Sequence, residues 1–371
     1  MSEDIYVRLR EFMDTMPAGY PTAPSGIEIK ILKKLFSPDD AEMVMKLKTE
    51  PEEISAIAAR LGIDEPKLSE KLEDMAQRAL VFRTRSGNKV FYNAHSFVVG
   101  IYEFRFDHLD REFCEMFEEY LPQYFTPLAF IETSQTRTVP IESSVASLPE
   151  AQSYNRVREM VKKQELISLQ ECLCRKEQRA LDKECEFPKE TCLGFGNFGR
   201  FYIDNKWGKR IDVDQALKIL DRAEDLGLVL TSLNTQELEV LCCCCSCCCP
   251  SLRFTKLLPR PADLIPPHYQ SEINPELCIS CGTCIERCQM DAIKEGEDVS
   301  ETIDGRCIGC GNCVPTCPEQ AISMVANPDR KAPPKTMTEM FKQVGEERRK
   351  VNIDLGKNLG NIMIVLHRNC V

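Results

Sequence analysis

The sequence lacks several features that would place it in a common functional class. No run of 18 apolar residues occurs, so nothing predicts a membrane-spanning helix. The first residues, Met-Ser-Glu-Asp, lack the basic and apolar regions of a signal peptide, and we therefore expect a cytoplasmic protein. The motif Cys-x-x-Cys-His is absent, which argues against covalently attached haem, and the four histidines are scattered along the chain.

Cysteine, in contrast, is abundant, with 21 among 371 residues. In a reducing cytosol such density indicates metal binding rather than disulfides. Eight cysteines repeat the spacing Cys-x-x-Cys-x-x-Cys-x-x-x-Cys with an offset of 29 residues (307 − 278 = 29), which is the two-cluster bacterial ferredoxin run. In that run the fourth cysteine of each half binds the cluster of the other half. The predicted [4Fe–4S] ligand sets are Cys278, Cys281, Cys284 and Cys317, and Cys307, Cys310, Cys313 and Cys288.

A second cysteine-rich region lies in the middle of the chain. Four alternatives exist for this region: one or two further cubane clusters, a non-cubane cluster, zinc, or free thiols. Iron is the simplest beside a ferredoxin module, because a chain of clusters extends an electron path, whereas zinc sites usually use two Cys-x-x-Cys pairs. In an extended chain residues i and i+2 share a face, so the crowded run 242–249 can supply two centres. The candidate ligands are Cys172, Cys174, Cys185 and Cys192, expected to form one set, and Cys242, Cys244, Cys245, Cys247, Cys248 and Cys249.

Two other segments of the middle region carry local signals. A helix is predicted over about 213–226, because Asp212 and Gln215 fit a capping box and Gly227 fits a helix end. The glycines of 194–199 match the letters of a dinucleotide-binding fingerprint. The sequence predicts neither a strand before them nor a helix opening there, and we expect no NAD or FAD site.

The first hundred residues indicate a winged-helix-like domain. A helix from Pro51 ends at Gly62, a second helix covers about 65–79, and two strands follow around the turn at 86–88. Residues 21–100 carry as many acidic as basic side chains, whereas a DNA-reading domain carries a basic footprint. We therefore expect a docking or homodimerisation module rather than a nucleic-acid binder. The aromatic stretch 97–120 is more typical of a core than of a cofactor site.

Together these patterns predict a multidomain α+β protein. The predicted parts are a winged-helix-like domain (1–100), a mostly helical cysteine-rich middle domain (101–262), a ferredoxin-like two-[4Fe–4S] domain (263–327) and a C-terminal helix and tail (328–371). The net charge of −11 disfavours bulk nucleic-acid binding and suits docking to basic patches on redox partners.

The last hundred residues resemble a two-cluster bacterial-type ferredoxin domain. The whole layout, with its Cys-Leu-Cys-Arg segment at 172–175 and its cysteine run at 242–249, resembles 4Fe–4S ferredoxin-type proteins of anaerobic bacteria and archaea. That resemblance implies an electron-transfer component that works with a flavoprotein or a hydrogenase-type oxidoreductase. Two alternatives remain open: a redox-sensing transcriptional regulator that uses the winged helix, and an oxidoreductase with a site-differentiated cluster at 242–249. The sequence indicates no catalytic acid or base.

Overall fold

The computed structural model describes residues 4–146, 148, 152–183 and 185–350. Helices and strands are mixed along the chain, as the α+β prediction requires. In its described residues the N-terminal part contains six α-helices and a three-stranded antiparallel sheet in the order β1-β3-β2. Its elements are α1 (Ile5–Asp14), α2 (Ile27–Leu35), α3 (Pro38–Val44), β1 (Glu52–Glu53), α4 (Ile54–Leu61), α5 (Glu65–Gln77), β2 (Phe82–Ser86), β3 (Lys89–Asn93) and α6 (Arg111–Phe125).

Local signals fix the ends of these N-terminal helices. The Ser37 hydroxyl accepts a hydrogen bond from the Asp40 backbone N–H, and the Asp40 carboxylate accepts one from the Ser37 N–H, each at 3.2 Å. Helix α4 ends at Gly62, whose φ of 65° lies in the left-handed region that glycine adopts at low cost. The two helices and the hairpin that the sequence predicts after Pro51 are present as α4, α5, β2 and β3.

Residues 97–125 belong to the N-terminal core. Phe97 contacts Tyr20, Phe117 and Tyr124, with ring centroids 5.1, 5.9 and 6.0 Å apart. One buried cluster extends from Leu9 through this aromatic stretch, which is a core as expected. The predicted boundary at residue 100 therefore does not separate two cores.

A six-stranded antiparallel sheet organises the middle region. Its strand order is β4-β8-β9-β6-β5-β7. The prediction of a mostly helical middle domain missed this sheet, because its strands have four to six residues and some, such as β5, are buried without alternation. The elements are β4 (Thr136–Val139), α7 (Glu142–Val145), α8 (Val157–Lys162), β5 (Ile167–Glu171), α9 (Leu173–Ala180), β6 (Glu190–Phe195), α10 (Gly196–Asp204), β7 (Gly208–Ile211), α11 (Val213–Asp225), β8 (Val229–Leu233), β9 (Val240–Cys244), α12 (Pro250–Lys256) and α13 (Pro261–Leu264).

The glycine-rich segment 194–199 joins β6 to α10, so the expectation that no strand and no helix flank it is wrong. Both neighbours of β6 in the sheet are antiparallel, however, and a dinucleotide fold needs parallel βαβ units. The glycines instead allow close packing. A Cβ at Gly199 would lie 2.7 Å from the Gly194 carbonyl oxygen, and one at Gly194 would lie 2.7 Å from the Ser168 hydroxyl.

The C-terminal part begins with a strand that pairs with its last strand. Strand β10 runs antiparallel to β13, from Tyr269 opposite Ala326 to Ile273 opposite Ile322, and β11 pairs with β12. The predicted C-terminal helix is α15, in which Met340 and Val344 pack into the N-terminal core. Residues 351–371 of the predicted tail lie outside the described residues. The elements are β10 (Tyr269–Ile273), α14 (Thr283–Arg287), β11 (Ile293–Glu295), β12 (Ser300–Thr302), β13 (Ile322–Ala326) and α15 (Met337–Lys350).

Candidate metal centres

The ferredoxin cysteines line two cavities in the C-terminal part. The outer cavity is lined by Cys278, Cys281, Cys284 and Cys317. The inner cavity is lined by Cys288, Cys307, Cys310 and Cys313. In each case the fourth cysteine of one half lies with the first three of the other half. The structure therefore brings together the two sets that crossed ligation predicts.

The backbone around these cavities repeats with the same 29-residue offset. Ser280 and Gly309 have φ values of 53° and 74°, and Gly282 and Gly311 both have 77°. At Gly311 the absence of a side chain is also a packing requirement, because a Cβ there would lie 2.1 Å from the Ser144 hydroxyl oxygen. The inner half of the ferredoxin domain thus packs tightly against the middle region.

Backbone amides point at two of the sulfurs. The Ala292 N–H donates to Cys288 Sγ and the Ala321 N–H donates to Cys317 Sγ, each at 3.2 Å. Hydrogen bonds to thiolate sulfur stabilise the more negative state and so raise the reduction potential of a cluster. The two potential-tuning contacts occupy equivalent places in the repeat (321 − 292 = 29).

The two cavities differ in their exposure. At the outer cavity Cys281 is exposed, and Leu277 and Ile279 are 49% and 62% exposed. The inner cavity lies under the middle region: the Ile141 N–H donates to the Cys310 carbonyl at 3.0 Å, and the Asn312 side chain donates to the Gly227 carbonyl at 3.1 Å. One end of the ferredoxin domain therefore faces solvent and the other faces the remaining cysteines.

Four middle-region sulfurs form a compact group, which we call the four-thiol group. The Sγ atoms of its members all lie within 4.8 Å of one another. The Cys185 sulfur is 3.8 Å from that of Cys245 and 3.6 Å from that of Cys247, and the Cys247 and Cys248 sulfurs are 3.8 Å apart. The members are Cys185, Cys245, Cys247 and Cys248.

The other predicted middle-region cysteines form a second, wider group, which we call the six-thiol group. Its sulfurs interact one with the next, from the start of α9, through the residue before α12, to strands β9 and β6. The Cys192 and Cys242 sulfurs, on adjacent strands in direct register, are 3.7 Å apart. The members are Cys172, Cys174, Cys249, Cys244, Cys242 and Cys192.

This division corrects the expectation that residues 172–192 supply one ligand set. Cys172 and Cys174 lie at the start of α9, and its eight residues carry the chain about 12 Å away before Cys185. Cys185 therefore meets the turn after β9 instead of Cys192. Along β9 the sulfurs alternate as in any strand, and Cys243 belongs to neither group. Its thiol is 1% exposed, and burial raises its pKa to about 12.

Arg175 lies between the two middle-region thiol groups. It is 1% exposed, and its guanidinium donates to the Pro188 and Cys243 carbonyls at 2.9 Å each and to the Thr191 hydroxyl. Its positive charge acts on Cys172 of one group and Cys245 of the other. Burying an unpaired guanidinium is costly, so the position implies anionic centres beside it. The sequence shows this arginine directly after Cys-x-Cys, but sequence reasoning gave it no role.

Within the four-thiol group Cys245 has a lowered pKa, whereas the pKa of Cys247 is raised to about 12 and that of Cys248 is also raised. A hydrogen bond from the Cys248 thiol, together with Arg175, lowers the pKa of Cys245 to about 5 although burial opposes this. Metals bind the thiolate form, so Cys245 is ready to ligate at neutral pH. Cys114, in contrast, is buried in α6, and burial raises its pKa to about 12. Among the described cysteines, it joins no thiol group.

Comparison with family models identifies the C-terminal part. Residues 271–324 match the model of a 4Fe-4S dicluster domain. A second model, also described as a 4Fe-4S dicluster domain, matches residues 306–363. The chain carries [4Fe–4S] clusters. No match was found among curated proteins or among solved structures. In the part of the chain that the structure describes, no helix is long and apolar enough to cross a membrane.

The two family matches cover the ferredoxin cysteines and do not extend to the middle-region groups. The first matched segment contains all eight ferredoxin cysteines and both cavities. An iron–sulfur electron-transfer role follows for this part of the chain. The middle-region thiol groups lie outside both matched segments.

Proposed function

We propose that the protein relays single electrons from a redox partner, docked at the outer cavity, through the two ferredoxin clusters to an iron–sulfur centre held by the six-thiol group. Cys278, Cys281, Cys284 and Cys317 would hold the outer cluster. Cys288, Cys307, Cys310 and Cys313 would hold the inner one. The supporting observation is the position of the inner cavity between the other two centres.

Continuous apolar packing joins the inner cavity to the six-thiol group. Cys244 and Cys249 belong to the same buried cluster as Met290 and Ile308, and Cys242, Cys288, Cys307 and Cys310 pack against it. Apolar surroundings keep water from the sulfurs of both centres and lower the reorganisation that accompanies each electron transfer. The inner cluster is therefore the natural intermediate between the outer cluster and the middle region.

The face around the outer cavity has the character of a transient docking surface. Leu277 and Ile279 form an exposed apolar centre, and Glu276, Glu286 and Glu319 are exposed around it. Residues 274–286 contain no lysine or arginine. An apolar centre with an acidic rim fits a partner with a basic patch, such as a flavoprotein or a hydrogenase-type oxidoreductase.

The regulator alternative is weaker because the basic side chains of the hairpin β2–β3 are already paired. Arg83 is 1% exposed and pairs with Glu73, Arg85 pairs with Glu73 and Asp204, and Lys89 pairs with Glu53 at 2.7 Å. A DNA reader needs such cations free to displace counterions from phosphates. The hairpin also packs on α10, where the rings of Phe82 and Phe201 are 4.7 Å apart. We therefore favour a docking role within the chain for the winged-helix-like part. We also propose a cytoplasmic location, where thiols stay reduced.

Removing the inner cluster tests the relay. Cys310→Ala should abolish that cluster and leave the outer cluster and the middle centre intact, because neither uses Cys310. In low-temperature EPR of the dithionite-reduced protein, the middle-centre signal should lose the splitting that a neighbouring reduced cluster causes. Its reduction by a macromolecular donor should slow at least tenfold. Cys114→Ser, outside every thiol group, is the matched control. A middle-centre signal of unchanged shape and rate would refute the proposed order.

A further inference from the structure

The spacing of the four-thiol group is that of a single metal ion. A tetrahedral zinc site with Zn–S bonds of about 2.3 Å places its sulfurs about 3.8 Å apart, because a tetrahedron's edge is about 1.6 times its centre-to-corner distance. The observed Cys185–Cys245, Cys185–Cys247 and Cys247–Cys248 distances are 3.8, 3.6 and 3.8 Å. Three of the six sulfur–sulfur distances therefore match the edge of a zinc–sulfur tetrahedron, and all six are within 4.8 Å, close enough for the four sulfurs to share one ion.

The ferredoxin cysteines provide an internal comparison for a cubane. In a cubane each thiolate binds a different iron of a cube several ångströms across, so the four sulfurs stand farther apart. Among the described residues, no other set of three or more cysteine, histidine or acidic side chains has all its ligand atoms within 4.8 Å. The two ferredoxin sets, which belong to a matched 4Fe-4S dicluster domain, are thus wider than the four-thiol group. A cubane does not fit the smaller group.

We propose that Cys185, Cys245, Cys247 and Cys248 bind one Zn²⁺ ion in a closed structural site, separate from the iron–sulfur relay. An all-sulfur tetrahedral set selects zinc or iron, and four protein ligands leave no open position for a substrate. Three ligands come from one turn, in which the Cys249 N–H donates to the Cys245 carbonyl at 3.1 Å, and the fourth comes from the loop after α9. The ion thus closes a loop of 60 residues.

Arg175 supplies the charge that such a site needs. Zinc with four thiolates carries a formal charge of −2, which is costly to bury without a cation nearby. The Arg175 guanidinium is 1% exposed and reaches the Cys243 carbonyl at 2.9 Å, two residues before Cys245. Its fixed position beside the turn offsets part of that negative charge.

The turn that carries three of the ligands also supports the inner ferredoxin cluster. Ser246 donates to the Gln289 side-chain carbonyl from its backbone N–H at 3.0 Å and from its hydroxyl at 2.8 Å. Gln289 directly follows Cys288, which lines the inner cavity. A zinc ion that holds the turn would therefore fix the ferredoxin domain against the middle region.

Metal content and zinc X-ray absorption of the full chain, purified without air from cells grown with both metals, test the site. We expect one zinc per chain, with four sulfur neighbours at about 2.3 Å. Cys247→Ser, at the exposed ligand, should weaken zinc retention against the chelator 4-(2-pyridylazo)resorcinol at least tenfold. Its iron, sulfide and EPR signals should match those of wild type. Cys114→Ser should retain zinc as wild type does.

Three results would overturn the assignment. The first is a wild-type chain with its full iron content and no zinc. The second is a single iron ion with four sulfur neighbours and no zinc, which would identify the site as an iron site. The third is a loss of about four irons and of sulfide in Cys247→Ser, which would identify a cubane. The X-ray absorption of the wild-type chain decides the question even if Cys247→Ser does not fold. None of these results depends on the order of electron transfer.

Discussion

Gln289 offers the sharpest test of how the ferredoxin domain is held. It stands where the second half of the repeat has Pro318 (318 − 289 = 29), and its side chain makes three bonds to the middle region. Two come from Ser246, at 3.0 and 2.8 Å, and the third runs from its amide nitrogen to the Gly227 carbonyl at 3.2 Å. At about 1 kcal/mol net for each bond, Gln289→Ala should weaken this attachment by about 3 kcal/mol.

Gln289→Pro is the companion variant, because proline is the residue that the repeat itself accepts at the equivalent position. It should leave cluster ligation intact and lose the same three bonds. Gln270→Ala, at an exposed position of β10, is the control for the loss of a glutamine side chain.

Anaerobic urea unfolding separates the two regions, because they carry different probes. Cluster absorbance reports the ferredoxin domain, and the fluorescence of Trp207, the sole tryptophan, reports the middle region where it packs into the N-terminal core. With a urea slope of about 2 kcal/mol per molar, the absorbance midpoint should fall by about 1.5 M in both Gln289 variants. The Trp207 midpoint should move less. Unchanged absorbance midpoints in both variants would contradict the assigned role of Gln289.

Two further predictions concern charge. A unit charge at an assumed separation of about 5 Å contributes about 3 kcal/mol at an effective dielectric of about 20, so Arg175→Met should lower the reduction potential of the six-thiol centre by roughly 130 mV for a one-electron couple. Arg175→Lys should lower it less, and EPR-monitored titration with an unchanged potential in both variants would refute the charge role. Glu276→Lys with Glu319→Lys should slow reduction by a basic redox partner and flatten its salt dependence. The control pair, Glu65→Lys with Glu70→Lys, changes the net charge by the same amount but lies on α5, outside the ferredoxin domain. If both pairs slow reduction by the partner equally, specific docking at the outer cavity is refuted.

Features set by neighbouring residues could be predicted from the sequence. The helix expected over 213–226 is α11 (Val213–Asp225), with the capping box between Asp212 and Gln215 in place. Such a cap needs contacts over only three residues, and the sequence displays them directly. The crossed ferredoxin ligand sets could also be predicted from the sequence, because their geometry belongs to a motif of fixed spacing.

Features set by distant pairing could not be predicted in the same way. The partner of Cys192 is Cys242, 50 residues away, and only the register between β6 and β9 brings them together. Spacing in the chain suggested grouping Cys185 with Cys172 and Cys174, but the length of α9 separates them. Arg175 was missed for a related reason: its role depends on two thiol groups whose positions follow from the sheet.

Strand geometry explains why seven cysteines can crowd into eight positions without competing for one ion. On β9, Cys242 and Cys244 point to the side of the ferredoxin domain, where they pack against the inner cavity. Cys243 and Cys245 belong to the opposite buried cluster, together with Cys248. The strand therefore separates cysteines of the six-thiol group on one side from cysteines of the four-thiol group on the other. Because cysteines of both groups lie near Arg175, this one buried arginine can offset negative charge on each side.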